Sequence, residues 1–314
     1  MYCVYVDGQY GTTGLKIKDY LSKHQNVQIL TIDYEKRRDT EARKKYMNEA
    51  DVVFLCLPDQ AAKEAVKLVE NSETRIIDAS SAHRIDDGWA YGIPELCPTQ
   101  RDKIKNSKHV SVPGCHATAA ILALSPLVKG GIVPKNYPAA IFSVTGYSGG
   151  GKEVIAKYES ENRAPYLDIP RHYALSLNHK HLPEIQKYAG LDDKPTLIPV
   201  ICDYYKGLAA SIPLFANKLA KDHSPEEIRH FLANYYSGEK FVNVIPDETE
   251  GLLEDGTFDI TACNDTNRAE LFVLGNDDRI MLMTRLDNLG KGASGAAIQC
   301  MNIMLGIPEQ TGLI

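Results

Sequence analysis

Cys115 is the residue whose type and setting point most directly to chemistry. It lies in Val112-Pro113-Gly114-Cys115-His116-Ala117-Thr118-Ala119-Ala120. An apolar, strand-like run meets a Pro-Gly turn, and an Ala-rich stretch of helix-forming composition starts at the cysteine. A helix N-terminus carries partial positive charge and unpaired N–H groups. Both favour the thiolate, which is the reactive form. The same N–H groups can hold an oxyanion or a phosphate. Most single cysteines are small buried apolar residues. The turn and the helix start single this one out as a candidate nucleophile.

Five further segments carry chemistry-bearing residues. Asp7-Gly8-Gln9-Tyr10-Gly11-Thr12-Thr13-Gly14-Leu15 has the spacing GxxGxxG, a variant of the dinucleotide fingerprint. Its position between a first strand and a helix raises it above an ordinary loop, and Gly8, Gly11, Thr12, Thr13 and Gly14 become candidates for a pyrophosphate turn. Asp33 stands near the place of the acidic residue that holds ribose hydroxyls, but Lys36, Arg37 and Arg38 follow at once. Those cations suit a 2′-phosphate, so NADP is favoured over NAD. Ala79-Ser80-Ser81-Ala82-His83-Arg84 offers two hydroxyls and a guanidinium at a strand end, a phosphate cradle or a capping turn. Gly146-Tyr147-Ser148-Gly149-Gly150-Gly151-Lys152 and Asp287–Gly295 are glycine-rich loops after strands, where backbone can approach a ligand closely.

The elements around these residues alternate. Strands are expected at 1–6, 27–33, 51–57 and 75–78, with helical patterns after the first glycine turn and after Pro58, the latter running through Leu68 and Val69. This predicts an α/β fold with a Rossmann-type, doubly wound parallel sheet, whose ligands sit at the carboxyl ends of the strands. Residues 137–286 hold strand-like runs at 140–144, 174–177, 196–202, 208–214, 271–274 and 279–286, and a helical pattern at 226–236. They predict a second, α+β domain with a mixed or antiparallel sheet, before a helix at 296–305.

The bulk properties fit this. A chain of 314 residues, 44% hydrophobic and 24% charged, has room for about two domains. A net charge of -6 gives no reason to expect a nucleic-acid or anionic-membrane partner. Seven cysteines without a CxxC pair argue against a disulfide framework and against a zinc site, so no metal is expected. Met1–Val6 reads directly as a strand, so no signal peptide is expected, and no apolar run nears the ~18 residues of a membrane span. A reducing cytoplasm is the expected compartment.

Taken in order, the motifs resemble a known family. They are Gly8-x-x-Gly11-Thr12-Thr13-Gly14-Leu15, Ser80-Ser81-Ala82-His83-Arg84, Tyr91-Gly92-Ile93-Pro94-Glu95-Leu96, Pro113-Gly114-Cys115-x-Ala117-Thr118, Gly146–Lys152, His179-Lys180-His181-Leu182-Pro183-Glu184 and Asp287–Gly295. The ordered set, spread over nearly the whole chain, resembles the N-acetyl-gamma-glutamyl-phosphate reductases in their shorter form, relatives of the aspartate-semialdehyde and glyceraldehyde-phosphate dehydrogenases. Many members carry Asn where this chain has Val112. The resemblance implies NADPH-dependent reduction of N-acetyl-glutamyl 5-phosphate to the 5-semialdehyde with release of phosphate, a step of arginine biosynthesis. It implies a cofactor domain at 1–115 completed by 287–314, a catalytic and oligomerisation domain at 116–286, and a homodimer or homotetramer.

In that reaction Cys115 would form a thioester, with Arg84, Ser80 and Ser81 on the phosphate. By the same analogy Tyr147 and Ser148 belong to the substrate, and Asn288 and Gly290 to the nicotinamide end of NADP(H). The chemistry also needs an imidazole near the sulfur. His116 is adjacent, but one helical step turns a side chain by about 100°, so it is expected to point elsewhere. His179 and His181 lie two apart after the strand-like 174–177 and would face one side. His181 is favoured as acid/base over His179, and the choice stays open. The rival readings are the same chemistry on an aminoadipyl or carrier-linked acyl phosphate, a cysteine hydrolase or acyltransferase, and a non-catalytic nucleotide sensor.

Overall fold

The computed structural model of the protein describes residues 1–246, 253–254 and 256–313. The first elements are β1 (Tyr2–Asp7), α1 (Thr12–Ser22), β2 (Val27–Leu30), α2 (Thr40–Glu49) and β3 (Val52–Leu55). Then come α3 (Asp59–Val66), β4 (Arg75–Asp78), β5 (Ala90–Tyr91), α4 (Gln100–Asn106), β6 (His109–Ser111) and α5 (Cys115–Lys129). Next are β7 (Ala140–Gly146), α6 (Lys152–Tyr158), β8 (Arg171–His172), α7 (Leu182–Ala189), β9 (Thr196–Cys202) and β10 (Leu208–Phe215). The last are α8 (Pro225–Tyr235), β11 (Val242–Val244), β12 (Leu253–Glu254), β13 (Thr257–Phe258), β14 (Ala269–Gly275), β15 (Arg279–Leu286) and α9 (Gly295–Leu305). Two compact units result, Met1–Pro113 with Ala293–Ile314, and Gly114–Gly292.

The first unit holds a six-stranded sheet in the order β2-β1-β3-β4-β6-β5, parallel throughout. Alternation along its strands feeds two cores, because successive side chains point to opposite faces. Val4, Val6, Val52, Phe54 and Ile77 meet α1, α4 and α9 through Ile17, Leu21, Ile104, Ile298 and Met301. Tyr5, Val53, Leu55 and Ile76 meet α2 and α3 through Met47, Ala62 and Ala65. This is the doubly wound Rossmann-type arrangement expected from the sequence.

Two expected boundaries move. β2 ends at Leu30, and Asp33 instead opens the single helical turn Tyr34–Lys36. The helix after Pro58 stops at Val66, so Leu68 and Val69 lie outside it. The cause is Asn48 of α2. Its side chain donates to the Leu68 carbonyl and accepts from the N–H groups of Glu70 and Asn71. Backbone held that way cannot continue a helix.

The second unit holds a mixed seven-stranded sheet, β11-β14-β15-β10-β7-β9-β8. β7 runs parallel to β9 and β11 to β14, and the remaining pairs are antiparallel. β9 spans the expected residues, and α8 starts on a Ser224–Glu227 capping box. The run 174–177 is a correction: it is a turn and not a strand. Ala174 and Leu177 have φ of 51° and 54°. The Tyr173 N–H still donates to the Pro199 carbonyl, but Pro199 has no N–H to return, so the ladder ends there.

α5 packs against β10 and β15, with α7 and α8 beside it. Every residue from His116 to Val128 is buried. Pro126 inside this helix lacks the N–H that would pair with the Leu122 carbonyl. The Tyr236 hydroxyl supplies that bond at 2.7 Å. Tyr236→Phe is therefore expected to destabilise the fold by about 1–3 kcal/mol, the cost of a buried unpaired carbonyl, read from the denaturant midpoint.

Candidate active site

At the end of β1, Gly8 has φ +85°, and a Cβ on it would lie 2.3 Å from the Cys56 carbonyl oxygen. A Cβ on Gly14 would lie 2.4 Å from the Gly8 carbonyl oxygen. Only glycine fits either place. Gly11 is the N-cap of α1 and makes no side-chain capping bond, so a bare helix terminus follows a turn that no side chain fills. That cradle fits the pyrophosphate of a dinucleotide.

Beyond β2, the Arg37 guanidinium lies 3.5 Å from the centre of the Tyr34 ring and donates to the Tyr34 carbonyl. Lys36 and Arg38 are exposed beside it, as is Asp33. Sequence reasoning missed the buried carboxylate Asp7, which takes both Nε and Nη2 of Arg43, at 3.2 and 2.8 Å. A charged residue ending an apolar first strand was the available signal.

The serine loop differs from a simple phosphate cradle. Ser80 Oγ donates to Asp78 at 2.7 Å, and Ser81 Oγ donates to Asp59 at 2.6 Å. Each hydroxyl has one proton, and each proton is committed to a carboxylate. Arg84 is buried and donates through Nε to the Val112 carbonyl at 2.9 Å. It braces the strand end just before Pro113-Gly114.

The sulfur of Cys115 stands at the first turn of α5, whose N-cap Gly114 makes no side-chain capping bond. The Gly114 N–H donates to Glu184 Oε2 at 3.2 Å. His181 is the N-cap of α7, and its Nε2 lies 2.1 Å from the point a Gly114 Cβ would occupy. His179 and His181 have ring centres 4.4 Å apart. The His181 N–H donates to His179 Nδ1 at 3.1 Å, which places the proton of a neutral His179 on Nε2. The structure thus brings His179 and His181 together against the turn that carries Cys115, on a loop and a helix start and not on a strand.

His116 lies in the same cluster of rings. Its ring lies 5.5 Å from that of His179 and 5.6 Å from that of His181. The 173–181 loop packs on it at the start of α5. Its Nδ1 and Nε2 are each 2.7 Å from an oxygen, Ser143 Oγ and Tyr173 Oη. Complete burial pushes its pKa down to about 3, with His179 adding to the effect, so it is neutral at working pH. Tyr173 and Ser143 were missed. Ser143 sits on the buried face of β7 beside Ile141 and Thr145, and a polar residue on an inward face was its signal. Tyr173 had none.

Ser148 and Asn288 also come together. Asn288 Nδ2 donates to Ser148 Oγ at 3.0 Å, and its Oδ1 accepts from the Gly207 N–H at 2.8 Å. Gly290 lies in the following π-type turn, where a Cβ would meet the Thr266 carbonyl oxygen at 2.3 Å. Tyr147 has other company: it stacks on Tyr158 at 4.6 Å and meets the edge of Tyr205.

Comparison with known proteins gives the family. Two family profiles match the chain: semialdehyde dehydrogenase, NAD binding domain, over residues 12–107, and semialdehyde dehydrogenase, dimerisation domain, over residues 115–288. N-acetyl-gamma-glutamyl-phosphate reductase 2 of a Nostoc species is 47% identical, covering 99% of this chain and 98% of that one. The reductase of Brucella ovis is 41% identical over 96% and 98%. Among solved structures, aspartate semialdehyde dehydrogenase from Francisella tularensis superposes with a TM-score of 0.73 at 15% identity, covering 97% and 100%. Aspartate semialdehyde dehydrogenase II from Vibrio cholerae gives 0.70 at 13% identity, covering 98% of each chain. A glycine cradle after the first strand, and a cysteine at a helix start against two imidazoles, are thus found in a chain that belongs to the semialdehyde dehydrogenase family, among its N-acetyl-gamma-glutamyl-phosphate reductases.

Proposed function

We propose that this oxidoreductase reduces N-acetyl-glutamyl 5-phosphate to N-acetyl-glutamate 5-semialdehyde, with NADPH and through a thioester on Cys115, in arginine biosynthesis. The observation that supports the reading is a cysteine at a bare helix terminus, with the His181 ring packed against the preceding Gly114, in a chain 47% identical to a reductase of that name.

The Cys115 thiolate attacks the acyl carbon, and the C–O bond to phosphate breaks. N–H groups in the first turn of α5 face the oxyanion that forms on the way. Arg84 is the cation proposed for the phosphate. The hydroxyls of Ser80 and Ser81 already serve Asp78 and Asp59, and would have to be released to join it. Gly8, Gly11, Thr12, Thr13 and Gly14 would hold the cofactor pyrophosphate, and Lys36, Arg37 and Arg38 the 2′-phosphate. Asn288, with one Nδ2 proton beyond the bond to Ser148, and Gly290 keep their assignment to the nicotinamide end. When bound, the reduced nicotinamide supplies the hydride for the thioester. The resulting thiohemiacetal collapses to aldehyde and restores the sulfur. His181 takes the thiol proton at the start and returns it at the end.

The direct test follows NADP reduction with the semialdehyde and phosphate as substrates, beside the same assay with an aminoadipate semialdehyde. Phosphate-dependent turnover of the first substrate alone is the expected result. Turnover of the second alone would overturn the acyl group. For the cofactor, replacing Arg37 and Arg38 by alanine is expected to weaken NADPH binding by about 10- to 100-fold while NADH binding holds, as titration of each would measure.

A second copy of the chain is the partner proposed for the outer face of the mixed sheet. Phe142 and Ile198 are paired in register there, 42% and 36% exposed, and Phe215 of β10 is 52% exposed. Exposed apolar side chains gathered on one sheet face are a feature of interaction surfaces. Phe142→Glu is expected to lower the assembly mass in light scattering, and an unchanged mass would remove this face from the interface. None of the described helices is long and apolar enough to cross a membrane. The cytoplasm is the proposed compartment, since all seven cysteines are unbridged.

A further inference from the structure

Asp287 and Gly292 take no part in the chemistry proposed for Cys115, but both lie in the turn that follows β15, and β15 packs against α5. Asp287 is fully buried. Its Oδ2 accepts from the Asp265 N–H and its Oδ1 from the Leu289 N–H, each at 2.8 Å. Its carbonyl oxygen accepts from the N–H groups of Gly290 and Gly292, at 3.1 and 3.0 Å. One residue thus folds the turn around itself and ties it to the 264–266 loop. Asp265, held in this way, has φ of 63°, a left-handed conformation uncommon for any residue but glycine. Asn288 adds two ties from the same turn, to Ser148 Oγ and to the Gly207 N–H.

The turn so anchored is pressed against the nucleophile. A Cβ on Gly292 would lie 2.8 Å from Cys115 Cβ, and 3.1 Å from both the Asp287 carbonyl oxygen and Leu286 Cδ1. Gly292 is not among the residues of positive φ, so close approach and not backbone conformation calls for glycine there. The atom it meets is a Cβ, fixed to the first turn of α5. It cannot swing aside as the far end of a long side chain would. On the other side, a Cβ on Gly290 would meet the Thr266 carbonyl oxygen at 2.3 Å, so the turn has no room to retreat.

We propose that Gly292 and Asp287 are positioning residues for the Cys115 thiol: Gly292 forms a wall against Cys115 Cβ, and Asp287 anchors the turn that holds the wall in place. The wall fixes the pivot from which the sulfur reaches the acyl carbon. A misplacement of about 1 Å at a reacting atom costs about 10²-fold in rate. The inference rests on Cys115 being the nucleophile.

The test is the rate of phosphate release from N-acetyl-glutamyl 5-phosphate in the first turnover, without cofactor, over a range of substrate concentrations. With no cofactor present, changes at the nicotinamide end do not enter. Gly292→Ala is expected to slow release at saturating substrate by about 10²-fold, with the half-saturating concentration within about twofold of native. Asp287→Ala is expected to give the same split, with a loss of about 10- to 100-fold. Asp287→Asn, which keeps one acceptor oxygen, should recover part of that rate. Removing a negative charge would by itself favour a thiolate nearby, so slower release reads position and not charge. In the double variant Gly292→Ala with Asp287→Ala the released turn can yield to the methyl group, and the loss should not exceed that of the worse single variant. Losses that multiply to about 10³- to 10⁴-fold would overturn the anchoring by Asp287. Native release rates per folded chain, with only the melting temperature lowered, would overturn the proposal. So would a raised half-saturating concentration at an unchanged maximal rate. If Gly292→Ala does not fold, Asp287→Asn decides, and a native rate there overturns the anchor. Release that survives complete alkylation of Cys115 by iodoacetamide would instead overturn the nucleophile, a failure distinct from that of the wall.

Discussion

Cys115→Ser is expected to cost at least about 10³-fold in kcat while leaving fold and NADPH affinity as they are. The two side chains have nearly the same shape, and Cys115 is only partly buried, so packing changes little. What changes is the nucleophile. A thiol is readily ionised at a helix N-terminus, whereas an alcohol needs a base at the moment of attack. The glycine cradle for the cofactor is a separate construction of Gly8, Gly11 and Gly14, so a binding titration of NADPH should match the native protein. Loss of NADPH binding in Cys115→Ser would mean that the variant had disturbed more than its sulfur.

Gly114→Ala should be almost as damaging, for a different reason. The backbone at Gly114 has φ -77° and ψ 149°, which any residue adopts. Alanine brings no backbone strain. Its Cβ, however, would sit 2.1 Å from Nε2 and 2.4 Å from Cδ2 and Cε1 of His181. The His181 ring is 5% exposed, with His179 at 4.4 Å and His116 at 5.6 Å, so it cannot rotate freely away. Displacing a general acid–base group costs about 10²- to 10⁴-fold in rate. The expected result is a kcat at least about 100-fold lower with a melting temperature near native. Adding His181→Ala should then cost little more, because the imidazole is already out of place. If Gly114→Ala stays active while His181→Ala is inactive, the ring tolerates the methyl group and the fit at this turn is looser than described.

The features legible in the sequence were local ones. GxxGxxG after an apolar strand announced β1, the turn and α1, because a glycine that must take φ +85° leaves its mark in one position. The helical pattern at 226–236 announced α8, which starts one residue earlier, at Pro225. The Pro-Gly turn before Cys115 announced a helix N-terminus. What stayed hidden depends on residues far apart in the chain. Leu68 and Val69 continue a helical pattern, and only Asn48, twenty residues earlier, explains why the helix stops. The histidine pair was found, but its support was misread. A strand at 174–177 would have been pairing with β9, and Pro199 there has no N–H to offer. His116 was set aside on helical geometry alone. That geometry speaks of one helix, and it does not show that a distant loop brings Tyr173 and His179 to meet the ring. Ser80 and Ser81 looked like anion ligands until Asp78 and Asp59 were found holding their protons.

The covalent role of Cys115 is tested most directly without any cofactor. The protein is mixed with N-acetyl-glutamyl 5-phosphate, inorganic phosphate release is followed, and the protein is then digested for mass spectrometry. A single burst of at most one phosphate per chain is expected, with an N-acetyl-glutamyl mass on the peptide containing Cys115 and none in Cys115→Ser. Phosphate release that waits for NADPH, or an acyl group carried elsewhere in the chain, would contradict it.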